Sequence, residues 1–179
     1  MKSFLRDTLA TLVMAGVIFF GLQFTVDSII VDGPSMNPNF HTGQRLVVNK
    51  VFYKIHEPER GDVIILHSPN GGQGDLIKRI IGLPGESVEI KDGVVYIYKE
   101  DGTVLPLDEP YITEQAENAY KRGKIPENEY FVLGDNRNIS DDSRHGWTLS
   151  FQNIVGKVWL SIWPSDKWGL VANYQFESE

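Results

Sequence analysis

Nineteen consecutive residues without a charge, Thr8 to Val26 (TLATLVMAGVIFFGLQFTV), place the first constraint on this chain. As a helix rising about 1.5 Å per residue, the run reaches roughly 28 Å, close to the thickness of a bilayer's hydrocarbon core. It is apolar all round, whereas a helix lying on a soluble domain is apolar on one stripe. It is long for the core of a cleaved signal peptide, and no small-x-small pattern follows at Phe24, Thr25, Val26 and Asp27. Lys2 and Arg6 precede the run, and Asp27 and Asp32 follow it. The positive-inside rule then makes residues 1–7 a cytoplasmic tail, 8–26 a transmembrane helix, and 27–179 an extracytoplasmic domain at the cell membrane.

Charge narrows the partners. Lys2, Arg6 and Asp7 are the only charges in the first 26 residues, so the rest holds 15 basic and 23 acidic side chains, a balance of −8. A nucleic-acid partner needs a basic face, and this balance argues against one. There is no cysteine, which removes thiol nucleophiles, thiolate metal sites and disulfides together.

After Val26 the pattern changes to short runs rich in Val, Ile and aromatics, bounded by turn residues. Strands are expected at 28–32, 44–50, 62–67, 76–82, 87–92, 94–99, 129–134 and 154–163. Asp92-Gly93 between two of them reads as a tight hairpin turn with positive φ. No long stretch has helical periodicity. The fold class expected is mainly β: a transmembrane helix followed by a coiled, barrel-like antiparallel sheet. One irregular excursion, 103–128, carries Pro106, Pro110, Gly123 and Pro126.

Two residues in this domain suit nucleophilic catalysis. Ser35 lies in GPSMNPNF, just past the apolar run. A serine needs a base to attack. Four histidines are available (His41, His56, His67 and His145), none in an HExxH zinc pattern, and a Ser-His-Asp triad stays open because its members need not be near in sequence. Lys78 has better local context. It sits in DLIKRIIGLPGE, and on a strand it shares a face with Leu76 and Ile80. A free lysine is neutral in roughly one molecule in 2,500 at pH 7. Burial can lower its pKa by up to about 3–5 units, enough to make a neutral amine common. Arg79, on the opposite face, stays charged and is a structural group.

A third segment, GDNRNISDDSRHGW (134–147), crowds Asp, Asn, Arg and Ser into one loop after a strand. Its spacing fails the EF-hand calcium pattern. The three segments agree in order and context with one family. GPSMNPNF, RGDVIIL, KRIIGLPGE, DEPY and GDNRNISDDSR, behind a single apolar span, resemble bacterial type I signal peptidases, in particular the single-span forms common in Gram-positive bacteria.

That resemblance implies a Ser-Lys dyad, with Ser35 as nucleophile and Lys78 as general base. It implies that Ser140 hydrogen-bonds and orients the lysine, and that Asp142 and Arg144 brace the site as an ion pair. The backbone N–H of Ser35 would form half of the oxyanion hole. Some members supply the other half from a serine hydroxyl two residues earlier, where this chain has Gly33. Ile139 stands where the family more often has asparagine. The substrates implied are signal peptides of secretory preproteins, cleaved after a small-x-small site. Independently of the resemblance, an extended substrate is expected to add as a strand beside Ile29, Ile30, Val31 and Asp32 and beside Asp75, Leu76 and Ile77. No metal or cofactor is expected, and the protein is read as a monomer working at a lipid bilayer. Of Trp147, Trp159, Trp163 and Trp168, at least half are expected in the core and the rest at lipid headgroups. Two other readings remain: a self-cleaving repressor-type protease with the same dyad, and a membrane-anchored β module that only binds.

Overall fold

The strand periodicities of the sequence become two antiparallel sheets in the structure, a computed structural model that describes residues 2–69, 72, 74–172, 174 and 176. The chain opens with α1 (Lys2–Thr25) and runs directly into β1 (Val26–Ile30). There follow β2 (Arg45–Asn49), β3 (Val63–His67), β4 (Asp75–Gly82), β5 (Ser87–Lys91), β6 (Val94–Tyr98), β7 (Val104–Pro106), β8 (Tyr120–Arg122), β9 (Glu129–Leu133), β10 (Leu149–Ser150), β11 (Ile154–Trp163) and β12 (Gly169–Leu170). The larger sheet has the order β1-β2-β11-β3-β4-β9-β10, with β12 beside β11; the smaller is β7-β6-β5-β8.

All eight expected strands are present: 154–163 has the expected bounds, 76–82 starts one residue earlier, and the others are trimmed or shifted by a residue or two. The Asp92-Gly93 turn joins β5 and β6 with φ of 51° and 80°. The hydrogen-bonded path of the large sheet is open, ending on β1 and β10, so it does not close into a barrel among the described residues. The excursion is not wholly irregular. Its β7 and β8 flank the β5–β6 hairpin, with Tyr98 opposite Val104 and Val88 opposite Arg122. Three-residue strands carry too little alternation to be read from sequence, and their pairing is decided by the hairpin they flank.

At the N-terminus the helix starts at Lys2, earlier than the expected Thr8, and Val26 belongs to β1. Phe4, Leu9, Leu12, Val13, Met14 and Val17 are all exposed. The side chains of 18–20 and 22–24, part of the expected span, lie outside the described ones. Among the described residues no helix is long and apolar enough to cross a membrane.

The core has three parts. One, around Val88, Ile90, Val95, Ile97 and Phe131, lies between the sheets. The second, with Val31, Met36, Phe40, Val63 and Ile77, sits under the turn after β1. The third, with Ile64, Leu66, Ile80 and Val132, covers the other face of β3 and β4. The tryptophans depart from expectation. Trp147 packs against the third cluster, but Trp159, Trp163 and Trp168 are 52%, 58% and 69% exposed. Trp159 and Trp163 lie on β11, an interior strand between β2 and β3, and Trp168 lies just before β12; all three stay on the solvent side.

Candidate active site

β4 delivers both chemical groups of the KRIIG segment, and alternation sends them to opposite faces. Lys78 lies across from Ile64 on β3 and shares its face with Ile80, while Arg79 points the other way. Lys78 is 2% exposed. Its Nζ lies 3.0 Å from Ser35 Oγ and 3.0 Å from the carbonyl oxygen of Ile77, to which it donates. None of the four histidines contacts Ser35. His41 bonds Gln44 through its backbone, His56 stacks on Phe52, and His67 and His145 pair with Asp75 and Asp141.

Burial pushes the Lys78 amine down to about 8. Asp142, then Asp141 and Asp135, pull it back up, and desolvation wins. A protonated amine held there costs the fold on the order of 3 kcal/mol relative to one in water. When the amine is neutral, the Ser35 hydroxyl donates to it, which is the geometry that proton removal requires.

Ser35 sits in the turn between β1 and β2, half-buried, with Met36 wholly buried beneath it. The 134–147 loop ties that turn down. The Asn136 N–H donates to the Ser35 carbonyl at 3.0 Å, Asn136 Nδ2 to the Pro34 carbonyl at 3.3 Å, and the Asp135 N–H to Met36 Sδ at 3.4 Å. Gly134 lies at the closest approach. A Cβ there would meet Ser140 Oγ and Cβ and would stand 2.5 Å from the Ser35 carbonyl oxygen. Sequence reasoning quoted Gly134 inside a motif without giving it a role; its signal was the glycine ending a strand just before the polar loop.

Asp142 is fully buried and accepts from Arg144 Nε and Nη2, both at 2.8 Å, and from the Gly134 N–H at 3.1 Å. Ser140 behaves differently from the implied pattern. Its Oγ is buried and has no hydrogen-bond partner, and the two bonds of the Lys78 amine go to Ser35 and Ile77. An ammonium has three donors, so one remains open.

Gly33 has φ +87° and open space around it. L side chains rarely adopt that backbone, so a hydroxyl-bearing residue would strain the turn as it stands. The Ser35 N–H has no partner among the described residues. The residues expected along the substrate are divided by the fold. Val31 and Ile77 are buried in the second core cluster and Ile29 packs against it, while Ile30, Asp32 and Asp75 are exposed and Leu76 is half-buried. β1 is an edge strand, and β4 from Asp75 to Lys78 pairs only with β3, because β9 joins it at Arg79. Both stretches leave backbone groups unpaired. Among the described residues no three His, Asp or Glu side chains converge as a metal site would need.

Sequence reasoning missed how Arg79 is held. Its Nε and Nη2 donate to the two oxygens of Asp135 at 2.9 and 2.7 Å, and Nη1 donates to the Gly61 carbonyl at 2.9 Å. Both partners are all but fully buried. Arg137 makes a second buried pair, with Glu109, and its Nε donates to the Gly134 carbonyl at 3.1 Å.

The chain belongs to the family described as signal peptidase, peptidase S26, whose profile matches residues 4–163, and it is a protease. Within that family it is similar to bacterial type I enzymes. It is 37% identical over 182 residues to "Probable signal peptidase I-1" of Synechocystis sp., covering 97% of this chain and 90% of the relative. It is 34% identical to signal peptidase IB of Staphylococcus aureus, covering 100% of this chain and 98% of the relative. A crystal structure of a signal peptidase I from Enterococcus faecalis superposes with a TM-score of 0.50 at 35% identity, over 57% of this chain and 97% of that one.

Proposed function

We propose that this protein is a membrane-anchored type I signal peptidase that cleaves N-terminal signal peptides from secretory preproteins after a small-x-small site, with Ser35 and Lys78 as its dyad. The observation that carries the reading is the 3.0 Å contact between Ser35 Oγ and a buried lysine whose pKa burial has lowered to about 8.

Ser35 Oγ attacks the scissile carbonyl while Lys78 Nζ takes its proton. The tetrahedral oxyanion lies against the free N–H of Ser35. Lys78 then gives its proton to the leaving amine, the mature protein departs, and the signal peptide remains as an ester on Ser35. The amine next removes a proton from water, which attacks the ester and frees the serine. Ser140 fits a role in orienting Lys78: its hydroxyl is buried beside the site without a partner, and the amine has a donor open. With Gly33 in place of a hydroxyl residue, the second oxyanion donor is a backbone N–H or a water; losing one donor altogether costs roughly 10²–10³ in rate. The unpaired backbone of β1 and of Asp75–Lys78 suits a substrate added as a strand.

Support for a membrane setting comes from the uncharged run in α1 and its outward-facing apolar side chains. Nine residues separate Val26 from Ser35, at most about 30 Å of extended chain at roughly 3.3 Å per residue, so an anchor in α1 would keep the nucleophile near the bilayer. Ile30, Arg45 and Trp163 lie in one row across β1, β2 and β11, and all are exposed. That row suits a headgroup region. The repressor-type reading lacks support, since a single helix takes the place of a DNA-binding helix pair before the dyad.

The test is cleavage of a preprotein by the purified protein and by Ser35→Ala and Lys78→Met. Both substitutions should abolish turnover. Cleavage retained by either would refute the dyad, and no cleavage by the unmodified protein would favour the binding module.

A further inference from the structure

We propose that Tyr111 is a positioning residue that fixes the separation of Ser35 and Lys78, and that seating it is what the 103–128 excursion contributes to the reaction; the proposal rests on those two residues being the dyad.

Three segments must be held in register for the dyad to work: the turn carrying Ser35, the strand carrying Lys78, and the loop from Gly134. Tyr111 meets all three. Its backbone carbonyl accepts from Asn39 Nδ2 at 2.8 Å, and Asn39 lies in the Ser35 turn. Its ring lies under the Arg79 guanidinium, 4.1 Å from carbon to centroid, and Arg79 follows Lys78 on β4. Its hydroxyl donates to Glu109 Oε1 at 2.6 Å, and Glu109 holds Arg137, which donates to the Gly134 carbonyl. Asn39 Nδ2 also donates to Asp135 Oδ2 at 2.8 Å, so the same carboxylate binds Arg79 and the nucleophile turn. The arrangement is a closed loop of contacts, not a single brace.

Tyr111 is 3% exposed and touches neither Ser35 nor Lys78. The ring of Tyr174 lies 4.7 Å from it and 5.3 Å from the same guanidinium carbon, and Phe176 meets it edge-on at 6.2 Å. A guanidinium whose three nitrogens all donate to buried acceptors and whose face rests on a desolvated ring has few alternative positions. Displacements near 1 Å between reacting groups change rates about 10²-fold. The effect belongs in kcat, because Tyr111 does not reach the substrate.

A pH readout separates positioning from simple stability. The amine of Lys78 feels Asp142, held by Arg144; Asp141, 3.1 Å from His145; and Asp135, held by Arg79. Without the ring, Arg79 neutralises Asp135 less closely and water gains access. Both changes favour the protonated amine, so the acidic limb of the rate profile moves to higher pH.

The experiment compares preprotein cleavage by the full chain, Tyr111→Phe and Tyr111→Leu, with Ser35→Ala alongside. The Leu variant should lose roughly 10–100-fold in kcat with KM changed less than about threefold, and its acidic limb should shift upward. The Phe variant keeps the ring and loses only the link to Glu109, so a loss of about 3–10-fold in kcat is expected. Unchanged kcat and pH profile in the Leu variant would overturn the proposal. If that variant does not fold, the Phe variant decides through kcat and KM: an unchanged kcat there would overturn the proposal. Activity surviving in Ser35→Ala would instead mark failure of the dyad itself, whatever Tyr111 does.

Discussion

At the scale of single residues, the proposed chemistry turns on one amine. Three aspartates near Lys78 favour its protonated form, and burial opposes them; burial is the larger effect and sets the pKa at about 8. Roughly one molecule in ten then holds a neutral lysine at pH 7, hundreds of times more than for a lysine in water. The rate should follow that fraction. We expect kcat/KM to rise tenfold per pH unit below about 8 and to flatten above it, measured on a peptide substrate whose own groups do not titrate there. A limb near 6.5 would point to a histidine as the base. Each of Ser35 and Lys78 has common structural explanations taken singly, and their pairing was legible only through the ordered motifs shared with the family. The open hydroxyl of Ser140 was not, since sequence does not fix which donor a flexible ammonium uses.

At the scale of elements, the site is a meeting of one strand, one turn and one loop. β4 sorts Lys78 and Arg79 to opposite faces, so one residue faces Ser35, where the proposed chemistry lies, while its neighbour anchors the strand to Asp135. The loop from Gly134 packs against the turn without room for a methyl group. Gly134→Ala should therefore push the loop from Ser35. Overpacking of this kind costs about 1–3 kcal/mol, to be read by urea denaturation, and kcat should fall at least tenfold with secondary structure retained in circular dichroism. Wild-type turnover in that variant would mean the contact is not needed. Strand identities were readable because runs such as DVIILH have one plausible fate. β7 and β8 were not, because three residues show no period and take their order from β5 and β6.

At the scale of the whole molecule, the helix and the β domain are nearly separate objects. Among the described residues α1 meets the rest of the fold at its C-terminal end, where it runs into β1 and the Thr25 carbonyl accepts from the Lys50 N–H. Removing residues 2–25 should leave the domain's thermal midpoint within a few degrees, since Phe4, Leu9, Leu12, Val13, Met14 and Val17 are exposed rather than packed on it. In cells the full chain should stay with the membrane pellet through alkaline carbonate washing, and the shortened one should be released. A full chain found in the wash would sink the anchor. The exposed tryptophans belong to this scale too. Nothing in a residue's identity says which face of its strand another layer will cover, and three of four tryptophans stayed outside the core.

The sequence by itself determined the uncharged helix, the strand-rich domain, the family and the two residues most suited to react, because each is written in local pattern: a run without charge, an alternation, a short motif. Tertiary structure alone decided what surrounds them. The Arg79–Asp135 and Arg137–Glu109 pairs, the ring of Tyr111 under Arg79 and the tight approach of Gly134 join positions far apart in the chain. Such contacts depend on which faces meet once the sheets have packed, and no local pattern encodes that.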